Sequence, residues 1–153
     1  MKQSKVQELY EKYFDTVYRI CFLYMKNETD SCDMVQETFL KLIQAHVQFE
    51  TEEKAKAWLI VTASNSCKSS LRKAWRKKRA IYDEDLYPEQ AAKEPSQLLE
   101  SVKSLEDKYG VPVYLYYYEG YQTGEIAKIL GSKPSTIQTR LAKARKLLRM
   151  ELE

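Results

Sequence analysis

Histidine occurs once in the 153 residues, as His46, and cysteine three times, as Cys21, Cys32 and Cys67. An odd, widely spaced set of thiols with one imidazole excludes a disulfide framework and a zinc site, so the cysteines read as free thiols of a reducing compartment. No phosphate-binding loop, catalytic triad or paired-carboxylate motif is present, and no metal or cofactor is expected. No apolar run approaches the ~20 residues that a membrane span requires. The opening MKQSKVQELYEKYF is amphipathic, unlike a signal segment, so the chain is expected in the cytoplasm without membrane insertion of its own. Strand-like alternation and internal repeats are lacking as well. Acidic residues are missing altogether from Ser132 to Met150, while Lys133, Arg140, Lys143, Arg145, Lys146 and Arg149 all fall there.

The balance of 44% hydrophobic and 31% charged residues allows one medium domain or two small ones. The formal net charge of +3 conceals segregation: residues 68–79 and 132–150 carry only cations, and 83–107 is mostly acidic. Where the charge lies says more than its sum.

Val6, Leu9, Tyr10, Tyr13, Val17, Ile20, Cys21 and Tyr24 recur at helical spacing and predict an amphipathic first helix ending at Asn27–Asp30. Asp30 with Asp33 resembles a cap for a second helix reaching about Gln44. A third starts near Thr51 or Lys54 and runs to Lys78. These three helices make a first domain, 1–79. The stretch 80–97, with Pro88 and Pro95 and weak periodicity, reads as a linker. Helical patterning resumes at Leu98, with one stripe of Leu98, Leu99, Val102 and Leu105 and another from Val113 to Tyr118, in a second domain, 98–153. Gly110 and Pro112 predict a helix break before Val111. The fold class is all-α, two small helical domains joined by a flexible linker.

Residues 119–150 contain the spacings of a helix-turn-helix. Ala127 sits where crossing helices leave no room, Gly131 follows four residues later in a turn that needs a left-handed residue, and Ile137 plugs the second helix onto the first. Pro134 suits a first helical turn, and Ser132 is the expected cap. Ser135, Thr136, Gln138, Thr139 and Arg140 lie early in the second helix, where base edges would be met. Gln and Arg suit bidentate contacts with adenine and guanine. Lys143, Arg145 and Lys146 match phosphates. The bland alternative is an αα-hairpin with a solvated basic face.

Two more surfaces emerge from projection at a hundred degrees per residue. The second helix places Met34, Val35, Thr38, Leu42 and Ala45 on a core side, and Asp33, Gln36, Glu37, Phe39, Leu40 and Ile43 on the other. That mixture suits a partner protein, or else Phe39, Leu40 and Ile43 are covered by a neighbouring helix. The third helix sets Ile60, Ala63, Cys67, Leu71 and Ala74 against a face of Trp58, Thr62, Asn65, Ser69, Arg72, Lys73 and Arg76 that suits nucleic acid. On pattern alone, Trp58 is more often a packing group than a stacking one.

DMVQETFLKL at 33–42, AWLIVTASNSCKSSLRK at 57–73 and YLYYYEGYQTGEIAKILGSKPSTIQTRLAKARKLL at 114–148, in this order, resemble the small two-domain extracytoplasmic-function sigma factors of bacterial RNA polymerase. The resemblance implies that the first segment grips the clamp of the polymerase core through Asp33, Gln36, Glu37, Phe39 and Ile43. The second would melt and read the minus-ten element, with Trp58 an aromatic of strand separation, which reverses the reading from pattern. The third would read the minus-thirty-five element. The loop from Gln48 to Lys54 matches the segment that captures a flipped base in this family. Ser69 and Ser70 depart from the usual Asp-His, Leu105-Glu106 from the usual Leu-Pro, and Lys133 from the common capping Ser. The implied partners are RNA polymerase core, promoter DNA and an anti-sigma factor.

Three functions are therefore set against each other. The first is a dissociable promoter-specificity subunit without enzymatic activity. A stand-alone helix-turn-helix regulator is the second. The third is a nucleic-acid hydrolase built on His46 and nearby acids, which the lack of a metal-like set disfavours.

Overall fold

The computed structural model describes residues 3–80 and 97–152, which form seven helices and no strand, as an all-α chain should. They belong to two compact units dividing between Ala91 and Ala92. Of the expected linker, residues 81–96 lie outside the described residues, together with the acidic stretch Asp83–Asp85.

In the first unit α1 (Gln3–Met25), α2 (Glu28–Ala45) and α3 (Glu52–Ala80) pack pairwise against one another. The apolar stripe of α1 accounts for this, because Leu9, Val17, Ile20, Phe22 and Leu23 are buried against Val35 and Leu42 of α2 and Leu59, Ile60 and Ala63 of α3. Beyond Cys67, α3 outruns its partners: Leu71 is only half-buried and Ala74, expected on the core face, is exposed. The cap of α2 is Asn27 instead of Asp30. Its Oδ1 accepts the Asp30 N–H at 2.8 Å, while Glu28 and Asp30 bring negative charge to the first turn. His46 closes α2 in the left-handed conformation, with φ 53°.

Each helix of this unit contributes one cysteine. Cys21 and Cys67 are buried and Cys32 is half-buried. The neighbouring Cys67 thiol, with burial, pushes the Cys21 thiol well above its ordinary range, so Cys21 remains a protonated, unreactive core group.

The second unit is built around α5 (Asp107–Tyr117), which contacts α4 (Gln97–Ser104), α6 (Thr123–Leu130) and α7 (Pro134–Leu152). Every residue from Gly110 to Leu115 is buried, as befits a helix apolar all round. The break expected before Val111 is found instead at Leu105–Glu106, and Pro112 lies inside α5. Pro112 deprives only the carbonyl of Lys108, an exposed residue, of its helical donor. Gly110 serves close approach: a Cβ there would stand 3.1 Å from the Val102 carbonyl oxygen of α4.

The turn between α6 and α7 follows from three residues. Gly131 has φ 66° and donates its N–H to the Ala127 carbonyl, which also accepts from Ser132 at 2.9 Å. Ala127 and Ile137 are buried where the helices cross. Glu125 accepts the Gln122 N–H at 3.0 Å and closes the start of α6. Because α7 begins at Pro134, Lys133 and not Ser132 occupies the residue before it.

Candidate functional site

On α2 the outer face carries Asp33, Gln36, Leu40 and Ile43, all exposed, with Glu37 half-exposed. Leu40 and Ile43 are each 53% exposed, so no described helix covers them. The Glu37 carboxylate stands 3.6 Å from Lys41 Nζ one turn on. Phe39 does not belong to this surface. It lies one turn beyond Val35 and two beyond Ser31, on a buried ridge, and its ring meets the edge of Tyr10 at 4.9 Å. Projection placed it on the outer face because it falls at the rim of the core stripe. The patch is thus acidic and apolar without an aromatic: Asp33, Gln36, Glu37, Leu40 and Ile43.

On α3, Asn65, Arg72, Lys73 and Arg76 are exposed, and Trp58, Thr62 and Ser69 are half-buried. Trp58 is neither a pure core group nor a free platform, since its ring packs edge-on against Phe49 at 5.9 Å. Phe49 comes from the loop before α3, whose end is fixed by Thr51 Oγ1 accepting the Lys54 N–H at 3.2 Å. Glu52 in the first turn of α3 pairs with Lys12 of α1; that hydrogen bond lowers the Glu52 pKa and raises that of Lys12. The tryptophan with an open face is Trp75, 62% exposed. Sequence reasoning passed it over, although it lies inside the cationic run 68–79, one helical turn past Leu71.

On α7, Ile137, Leu141, Ala144 and Leu148 form the buried stripe. Opposite it Ser135, Gln138, Thr139, Lys143, Arg145 and Lys146 are exposed, with Thr136 and Arg140 half-exposed on one flank. The Thr139 hydroxyl donates to the Ser135 carbonyl at 3.0 Å, which leaves its oxygen an acceptor and its methyl an apolar contact. Arg145 Nη1 donates to Tyr117 Oη of α5 at 3.0 Å, a partner that motif spacing could not reveal. These eight cationic or polar side chains early in α7 and along its outer face therefore meet no carboxylate of their own helix before Glu151.

His46 is exposed at the end of α2, and among the described residues no group of His, Cys, Asp or Glu is arranged to hold a metal ion. No described helix is long and apolar enough to cross a membrane.

Residues 9–77 match the family model for sigma-70 region 2, and residues 96–148 match that for sigma-70 region 4. The chain is 32% identical over 139 residues to the RNA polymerase sigma factor SigV of Bacillus subtilis, covering 88% of this chain and 83% of that one. It is 27% identical to the extracytoplasmic-function sigma factor SigL of Mycobacterium tuberculosis over 97% of this chain and 89% of that one. In fold it is similar to the sigma factor RpoE of Bartonella quintana, crystallised with the anti-sigma factor NepR, with a TM-score of 0.79, 22% identity and coverage of 99% and 98%. CnrH, solved with the cytosolic domain of CnrY, gives a TM-score of 0.67 at 21% identity, covering 99% of this chain and 89% of that one. With the two sigma-70 regions in order and relatives along nearly its whole length, the chain belongs to the extracytoplasmic-function sigma factors, the subunits that direct RNA polymerase to promoters.

Proposed function

We propose the following division of labour within this sigma factor. Asp33, Gln36, Glu37, Leu40 and Ile43 dock on the core enzyme, the apolar pair supplying affinity and the acids matching basic residues opposite. The α3 face of Trp58, Thr62, Asn65, Ser69, Arg72, Lys73 and Arg76 engages and opens the minus-ten element. Ser135, Thr136, Gln138, Thr139 and Arg140 read base edges of the minus-thirty-five element, and Lys143, Arg145 and Lys146 hold its phosphates. The domains are 1–79 and 98–153, with 80–97 as the tether that limits the allowed promoter spacing. The protein works in the cytoplasm, as a binding subunit and not an enzyme. Its activity is held in check by an anti-sigma protein, as the RpoE complex with NepR suggests by likeness of fold.

The observation that carries this reading is the separation of charge. An exposed acidic-apolar patch on α2 is distinct from the cationic faces of α3 and α7. A DNA-binding regulator that acts alone has no use for the first. Footprinting with and without core polymerase tests it. Protection of both elements is expected only with core present, and the double variant Asp33→Ala/Gln36→Ala should lose it with its fold intact by circular dichroism. Tight, specific protection by the isolated chain would favour the stand-alone regulator.

A further inference from the structure

Among the cations proposed to hold phosphates, Arg145 is tied to another helix. Its Nη1 donates to Tyr117 Oη of α5 at 3.0 Å, between residues 28 apart in the chain. Both side chains are exposed, so water satisfies either group when they part, and a bond of this kind adds little to the stability of the fold. Its reason lies outside folding. Tyr117 is the last residue of α5 and is 49% exposed, although the same helix buries every residue from Gly110 to Leu115. Its ring meets that of Tyr116 edge-on, with centroids 4.9 Å apart at 77°. The hydroxyl is therefore presented from a fixed base.

The chemistry of the acceptor indicates what the bond is for. A carboxylate in this place would form a forked ion pair with the guanidinium and cancel the charge that a phosphate needs. A phenol is neutral. It takes one of the five guanidinium N–H donors, orients the plane, and leaves the whole charge and the other donors free. An arginine that would otherwise sample many rotamers, and lose that freedom on binding, is thus set in advance. Arg145 also lies seven residues beyond Gln138 on nearly the same side of α7, about 10 Å further along its axis. With the first turns of the helix in the major groove, a residue that far on has left the base edges and meets the backbone. We infer that Tyr117 is a positioning residue for minus-thirty-five binding, which holds Arg145 ready for one backbone phosphate without touching the DNA itself. This rests on the assignment of Arg145 to a phosphate in the reading above.

Holoenzyme would be titrated over a range of salt with a promoter fragment that it transcribes, and with copies in which single phosphates along the minus-thirty-five element are replaced by neutral methylphosphonates. Tyr117→Phe, which removes only the hydroxyl, should weaken binding about five-fold with an unchanged slope against log salt, because the cation is still present. Arg145→Ala should weaken it further and lower the slope by about one. Added to Arg145→Ala, Tyr117→Phe should have no further effect, and both single losses should vanish at the same methylphosphonate position. Tyr117→Glu should behave as Arg145→Ala does, slope included, since the new carboxylate takes the charge. A Tyr117→Phe loss that persists beside Arg145→Ala would make the hydroxyl a contact in its own right and overturn the inference. Unchanged or tighter binding by Tyr117→Phe, where Arg145→Ala weakens it, would overturn it too, the tighter case by showing that the tyrosine holds the arginine back. Should Arg145→Ala leave affinity and slope unaltered, the phosphate assignment falls and the inference with it, while a holoenzyme that binds no promoter fragment would remove the promoter-binding reading as a whole.

Discussion

Ser64 is buried on α3, and its hydroxyl is the one buried side-chain polar atom among the described residues without a hydrogen-bond partner. An unpaired buried hydroxyl costs stability, so Ser64→Ala should raise it by up to ~1 kcal/mol in urea unfolding; a loss of that size would mean the hydroxyl has a bonded water. The exposed Lys12–Glu52 pair behaves differently. Its hydrogen bond depresses the Glu52 pKa and raises that of Lys12. The stabilisation is therefore present above the ordinary carboxylate range, disappears as pH falls through the depressed Glu52 value, and is lost again in alkali as pH rises through the raised Lys12 value. Glu52→Gln should lower the melting temperature slightly at neutral pH and low salt. The difference should close in acid and in high salt, as expected of a solvated pair; a difference that survives both would mean Glu52 is packed and not merely paired.

At the scale of elements, the sequence is most legible where a residue type has one physical reason to be in place. Gly131 is such a residue, since its φ of 66° is left-handed while a Cβ would meet nothing within 4 Å. Gly131→Ala should therefore cost the second unit ~1 kcal/mol by conformation alone, with Gly131→Asn costing less; equal costs would point to packing instead. Helical periodicity likewise located α1, α2, α3 and α7. It was less informative where two causes compete. Gly110 and Pro112 are breakers in isolation, but the apolar demand of 110–115 for burial outweighs them and moves the break to Leu105–Glu106. Asn27 and Asp30 are both good caps, and the choice between them depends on where α1 ends. Phe39 at the rim of its stripe is decided by Tyr10 on another helix, and the Arg145–Tyr117 bond joins residues 28 apart; neither contact is encoded in local spacing.

For the whole molecule, function follows from how charge is distributed over two small helical units. Each is stabilised by its own core, so surface faces are free to carry ligands. The first unit sets an acidic-apolar patch on α2 beside a cationic run on α3, and the second exposes a cationic α7. On the proposed reading α3 and α7 bind DNA together, and the chain joining them raises the effective concentration of the second once the first is bound. Binding to promoters should accordingly weaken steeply with salt, as counterion release from both helices demands. The family assignment rests on both regions, but the polymerase-dependent action of this chain is best tested by its product. In vitro transcription from a genomic fragment library, using core polymerase with and without the chain, measures partnership and specificity together. The account predicts a small set of transcripts that appear only when the chain is added, start at a fixed distance from a shared pair of upstream elements, and vanish with Asp33→Ala/Gln36→Ala. An identical transcript pattern with and without the chain, from a core enzyme that responds normally to another sigma factor, would contradict it.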